Sequence, residues 1–206
     1  MKQVITALGL MVALVMSATV SATPADNLKR LLGGIESLQG HFDQMVLDNS
    51  GTRLQQSSGD MALQRPGLFR WRTDEPFPQL LVADGQYLWL YDEDLEQVTR
   101  QDLDKRLDST PALLLSGDLS QLEHTFAIVG PEQGGDGVYR LKPIDPNAMF
   151  SVMRIAFTAG VPQEIQLEDN LGQRTSVAFT QLDVNPELEA GRFRFIPPQG
   201  ADLIIE

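Results

Sequence analysis

After Gly34 the chain runs in short stretches in which apolar and polar residues alternate, broken every few positions by glycine, proline, asparagine or aspartate. Successive strand residues point to opposite faces, so this pattern predicts half-buried strands joined by turns. Such runs lie at 42–48, 53–64, 68–73, 80–83, 87–91 and 96–101, and later at 125–129, 138–142, 150–158, 164–168, 173–182 and 192–196. Asp48-Asn49-Ser50-Gly51 and Pro66-Gly67 are turns, and Asp84-Gly85 is a tight hairpin signal. Two helical segments interrupt the strands. Thr23-Pro24-Ala25-Asp26 is a helix start, followed by Leu28, Leu31, Leu32 and Ile35 on one apolar stripe and weakened at Gly33-Gly34. Asp108-Ser109-Thr110-Pro111 caps a second, with Ala112 and Leu113 to Leu115 inside it and Gly117 closing it. The expected fold is mainly β (α+β), with about eleven antiparallel strands that must curl because so wide a sheet cannot stay flat. No repeat or linker divides the chain, so residues 23–206 read as a single domain.

The first residues break this pattern. Lys2 precedes a nearly all-apolar run at 4–15, and small and polar residues follow from Ser17. Val20-Ser21-Ala22 offers the side chains that signal peptidase accepts, so residues 1–22 are expected to be a cleaved signal peptide. The run is short beside the roughly 20 residues of a spanning helix, which disfavours an uncleaved anchor. The mature protein is therefore expected to be soluble in an extracytoplasmic compartment, without stable membrane insertion.

Composition narrows the partners. With 42% hydrophobic and 21% charged residues the chain is globular rather than disordered. It has no cysteine, which excludes disulfides, thiol catalysis, thiolate metal sites and lipid attachment through cysteine. Its net charge of -12 repels nucleic acid and anionic lipid, so no nucleic acid is expected as partner.

Catalytic chemistry is not written in the chain. His41 and His124 have no spaced metal ligands beside them, and there is no nucleophile elbow, phosphate loop or dinucleotide fingerprint. Asp92-Glu93-Asp94 with Glu96 lacks the calcium-loop pattern and reads as a solvated turn. No catalytic residue, no metal and no cofactor is expected, and the chain is not expected to be an enzyme.

The sharpest stretch is Gly59 to Arg72. Met61, Leu63 and Arg65 share one face of a strand, and Phe69 and Trp71 share one face of the next. If Pro66-Gly67 joins neighbouring strands, both apolar sets line one side of the sheet, with Arg65 at its edge. The Arg65 guanidinium has five donors and must reach water or find acceptors. Either it snorkels outwards at a strand end, or it donates to carbonyls of a covering helix, for which the 108–115 island is the candidate. Tyr87, Trp89 and Tyr91 alternate with Leu88 and Leu90, so that strand is expected to be covered on both sides; 150–157 reads the same way.

These blocks resemble the outer-membrane lipoprotein carrier family, LolA. The resemblance runs through Phe42-Asp43-Gln44, Gly59-Asp60-Met61, Arg65-Pro66-Gly67-Leu68-Phe69-Arg70-Trp71, Leu81-Val82-Ala83-Asp84-Gly85, Leu88-Trp89, Thr110-Pro111 and Phe193-Arg194-Phe195-Ile196-Pro197-Pro198. It implies an unclosed antiparallel half-barrel around a hydrophobic cavity, with short helices as lid. It further implies a monomeric periplasmic carrier that takes acylated lipoproteins from an inner-membrane ABC transporter to a LolB-like outer-membrane lipoprotein receptor. By the same resemblance Arg65 is the lid latch, and Met61, Leu63, Phe69, Trp71, Leu113, Leu114 and Leu115 form the acyl-chain cavity. A periplasmic lipid-sensing or regulatory half-barrel domain is the alternative.

Overall fold

Thr23 opens the first helix through a reciprocal cap: its hydroxyl accepts from the Asp26 amide, and the Asp26 carboxylate accepts from the Thr23 amide, both at 3.1 Å. In a computed structural model, which describes residues 22–103, 115–117, 119–131 and 134–206, this helix is α1, Pro24–Gly33. The expected stop at Gly33-Gly34 holds, and Leu28, Leu31 and Leu32 are buried.

The strands are β1 (Ser37–Leu47), β2 (Arg53–Gln64), β3 (Leu68–Glu75), β4 (Gln79–Asp84), β5 (Tyr87–Asp92) and β6 (Gln97–Asp102). After a short helix, α2 (Leu122–Thr125), come β7 (Phe126–Val129), β8 (Gly137–Pro143), β9 (Phe150–Thr158), β10 (Val161–Asp169), β11 (Arg174–Val184) and β12 (Asp202–Ile205). All twelve belong to one unclosed sheet in the order β12-β6-β5-β4-β3-β2-β1-β11-β10-β9-β8-β7. Each hairpin pairs antiparallel neighbours, and the long connection from β6 to β7 lets β11 return beside β1. One face of the sheet carries the main core together with the α1 leucines.

Three features depart from the expectation. β1 starts at Ser37, ahead of the apolar run at 42, because Leu38 is buried and Gly40 lets the β11 backbone approach. A Cβ at Gly40 would lie 2.9 Å from the Thr180 carbonyl. Residues 192–196 are not a strand. Ala190–Phe193 is a 3-10 turn, and the segment crosses the outer face of the sheet with Phe193 buried, so its alternation records packing against strands rather than membership of one. The true last strand, β12, pairs parallel with β6, so the sheet is not antiparallel throughout.

That crossing segment explains the two-sided pattern of β5. Leu88 joins the main core, while Phe195 packs on the other face against Trp89 at 5.6 Å and Tyr91 at 5.9 Å between ring centroids. Strand β9 is likewise covered on both sides, with Val152 buried as well as Met153, Ile155 and Phe157.

Candidate functional site

The β2–β3 hairpin sets the register of the candidate site. Met61 faces Trp71 and Leu63 faces Phe69, so all four lie on the core side of the sheet, as the parity of the two runs implies. Met61, Leu63 and Phe69 are fully buried, and Trp71 is only partly so. The Trp71 ring stacks on Phe42 with centroids 3.7 Å apart, lies 5.9 Å from Phe69, and meets Phe179 edge-on at 6.5 Å. Phe42 and Phe179 are themselves register partners across β1 and β11. Four aromatic rings thus make one continuous wall over four adjacent strands, with Leu81, Ala83 and Leu88 extending it across β4 and β5.

Phe42 and Phe179 complete this wall but were not among the expected cavity residues. Each sits at an apolar parity of its own run. Their meeting depends on β11 returning to pair with β1, a contact that no local pattern announces.

Arg65 follows the last residue of β2 and is half-buried at the rim of this wall. Its Nε donates to the Ile35 carbonyl at 3.0 Å and its Nη1 to the Gly117 carbonyl at 2.6 Å. The backbone reinforces both attachments: Arg65 N donates to Glu36 O at 2.8 Å, and Gly67 N to Ser116 O at 2.9 Å. The Arg65-Pro66-Gly67 corner therefore joins the α1–β1 connection to the segment at 115–117. Burial lowers the guanidinium pKa from its ordinary value, yet the group stays cationic because an arginine starts so high. Its Nη2, with Gln64 Oε1, is buried without a hydrogen-bond partner among the described residues.

Leu115 is buried in the main core. Leu113 and Leu114, with the rest of the stretch at 108–114 expected to be helical, lie outside the described residues. Gly117, whose carbonyl accepts from Arg65, lies outside the 108–115 stretch expected to supply the acceptor.

The remaining candidates have structural roles. His41 is exposed and its Nδ1 pairs with the Asp60 carboxylate on the opposite side of the sheet from Phe42. In the acidic stretch, Asp92 accepts from the Leu95 amide and Glu93 pairs with Arg72 at 3.3 Å, which makes it a braced turn. Among the described residues no group of three or more His, Asp or Glu is placed to hold a metal, and no helix is long and apolar enough to cross a membrane.

Residues 33–196 match the sequence profile of the family described as outer membrane lipoprotein carrier protein LolA. A protein of Azotobacter vinelandii named outer-membrane lipoprotein carrier protein is 50% identical over 179 residues, covering 87% of this chain and 86% of that one. One of the same name from Pseudomonas aeruginosa is 44% identical over 198 residues, covering 94% and 95%. Among solved structures, the fold resembles a putative outer membrane lipoprotein-sorting protein domain from Vibrio parahaemolyticus (TM-score 0.52, 13% identity, 82% and 95% covered). It also resembles a LolA superfamily protein from Nitrosomonas europaea (TM-score 0.51, 12% identity, 85% and 99% covered).

Proposed function

The chain belongs to the outer membrane lipoprotein carrier family LolA, and from that premise we propose how its apolar wall and its Arg65 corner carry lipoproteins. The protein is a lipoprotein carrier, as its close relatives are named, rather than a lipid-sensing regulatory domain. The observation that carries the mechanism is the wall of Phe42, Phe69, Trp71 and Phe179 beside an arginine bonded to two backbone carbonyls.

Burying a methylene is worth about 0.8 kcal/mol, so acyl chains do not cross water unescorted. The wall supplies apolar surface for them, with Met61 and Leu63 beside it and Leu113, Leu114 and Leu115 contributed by the segment that Arg65 holds. Acyl chains entering along Trp71 displace that segment, and the bonds from Arg65 to Ile35 and Gly117 break. Closure then competes with cargo, so the loaded state is held less tightly than an open cavity would hold it. Release needs no energy source if the acceptor binds acyl chains more tightly.

In this reading residues 1–22 are a cleaved signal, residues 23–206 act as one domain, and the carrier works in the periplasm as a monomer. It loads from an inner-membrane ABC transporter and unloads onto an outer-membrane lipoprotein receptor. The continuity of a single sheet from β12 to β7 supports the one-domain reading. The test is to isolate the mature protein from periplasm after blocking the receptor and to identify bound lipid by mass spectrometry. Acylated lipoproteins are expected. Protein free of lipid under that block would refute the proposal.

A further inference from the structure

The outer face of the sheet, away from the apolar wall, holds an open cleft of about 670 Å³ where the crossing C-terminal segment lies over β1 and β3. Arg70 from β3 and Arg192 and Arg194 from the crossing segment line it, with Gln39, Glu187 and Glu189. Three guanidinium groups gather there in a chain whose net charge is -12. Arg192 is anchored, its Nη1 donating to Gln39 Oε1 at 2.7 Å. The side chains of Arg70 and Arg194 make no hydrogen bond, and neither glutamate forms an ion pair with any of the three arginines, among the described residues.

Arg70 is partly buried, and desolvation, with Arg72 and Arg192 nearby, lowers its pKa from the ordinary arginine value. A half-desolvated cation with unused donors gains most from a bidentate oxyanion, and phosphate matches the guanidinium fork. Glu187 and Glu189 in the same cleft are acceptors only, and suit an ammonium group with three donors. Acidic and basic side chains that line one cleft without pairing with each other fit a ligand carrying both charges.

We propose that this cleft binds a zwitterionic phosphoethanolamine group, its phosphate on Arg70, Arg192 and Arg194 and its ammonium on Glu187 and Glu189. The group is either the head of a membrane phospholipid or a free glycerophosphodiester. The site is separate from the apolar wall, because Arg70 and Phe69 are adjacent strand residues on opposite faces. Bound head groups would hold the carrier at a zwitterionic surface with its outer face inward and its apolar wall free. An anionic lipid, which the net charge repels, would not replace them.

The test uses the full mature chain and titrates it with glycerophosphoethanolamine, glycerophosphocholine and inorganic phosphate, followed by amide NMR shifts. Glycerophosphoethanolamine should bind most tightly and shift the amides of Arg70, Arg192 and Arg194. Glycerophosphocholine, whose quaternary ammonium has no N–H, should bind more weakly. Arg194→Gln, an exposed substitution that does not threaten folding, should weaken binding by about tenfold, and Arg70→Gln should do the same. Equal binding of the choline compound, or unchanged affinity in Arg194→Gln, would overturn the proposal. Sedimentation with vesicles of phosphatidylethanolamine and phosphatidylcholine, against phosphatidylcholine alone, decides whether the head group is taken from a membrane or free in solution. Lipoprotein capture is measured on the same preparations. Loss of capture with head-group binding intact would count against the carrier mechanism and leave the cleft standing.

Discussion

Arg65 Nη1 donates to the carbonyl oxygen of Gly117 at 2.6 Å across 52 residues of sequence. Together with the bond from Nε to Ile35, it ties the segment at 115–117 to the end of α1 through one side chain. A lysine has three donors on one atom and cannot span two carbonyls in this fork geometry.

Replacing Arg65 with leucine removes both bonds and weakens closure. The variant is expected to accept lipoprotein but to pass it to the receptor more slowly than wild type, because closure no longer competes with cargo. A transfer assay with purified receptor checks this, and wild-type transfer rates in the variant would sink the latch mechanism. Arg65→Lys should be intermediate.

Trp71 is the partly exposed member of the aromatic wall, so it is the ring through which cargo is expected to enter. Trp71→Glu should fold, its carboxylate reaching water, yet lose acyl binding by at least about tenfold, since an acyl chain laid over the carboxylate would strip it of that water. Photo-crosslinking to a lipoprotein reads the loss. Phe69→Ala, by contrast, should act on stability, lowering it by about 3–5 kcal/mol in urea unfolding, because Phe69 is fully buried.

The segment that crosses the outer face makes a separate core. Phe193 is buried there, above a face that also buries Ala62, Val82 and Val98. Phe193→Ala should cost about 3–5 kcal/mol of unfolding free energy, although the residue is remote from the apolar wall. Equilibrium unfolding by tryptophan fluorescence measures it, and a cost under about 1 kcal/mol would mean that the segment is not integral to the fold.

Gly59 sits where β2 meets β3, and a Cβ there would overlap the Arg72 carbonyl oxygen. Gly59→Ala must push the two strands apart, and is expected to destabilise by about 1–3 kcal/mol or more. Thermal unfolding of the variant tests this, while Gly191→Ala, which meets nothing within 4 Å, is the control.

Asp84 is where pH acts on the hairpin. Burial opposes its ionisation, but bonds from the Tyr87 amide, the Trp89 indole and the Gln86 amide outweigh that and lower its pKa from the ordinary aspartate value. A depressed folded pKa stabilises the fold above the unfolded value, near 3.9, and that contribution is lost as pH falls through the folded one. The stability gap between wild type and Asp84→Asn should therefore be full at neutral pH and shrink below about pH 4. A gap that stays constant down to pH ~2 would contradict it.

Alternation, turn residues and caps specify neighbouring contacts, which is why α1, the β2–β3 hairpin and the parity of Met61, Leu63, Phe69 and Trp71 were legible along the chain. Arg65 was singled out for the same reason: a cation on the apolar parity of a strand has to be satisfied somewhere. The run at 192–196 misled because burial against a sheet face and membership of a sheet leave the same periodicity. The Leu203-Ile204-Ile205 run is short, and nothing local in it announces a parallel partner.

Taken alone, the sequence determined what each segment could become and which face of it would be apolar, because those properties depend on residues two to four positions apart. Only the tertiary structure decided that Phe42 meets Phe179 and stacks on Trp71, that Arg65 finds its acceptors in Ile35 and Gly117, and that Arg192 and Arg194 of the crossing segment meet Arg70 of β3. Those contacts join residues tens to more than a hundred positions apart. The meeting of Phe42 with Phe179 arises only when β11 pairs with β1 and brings both halves of the chain into one sheet.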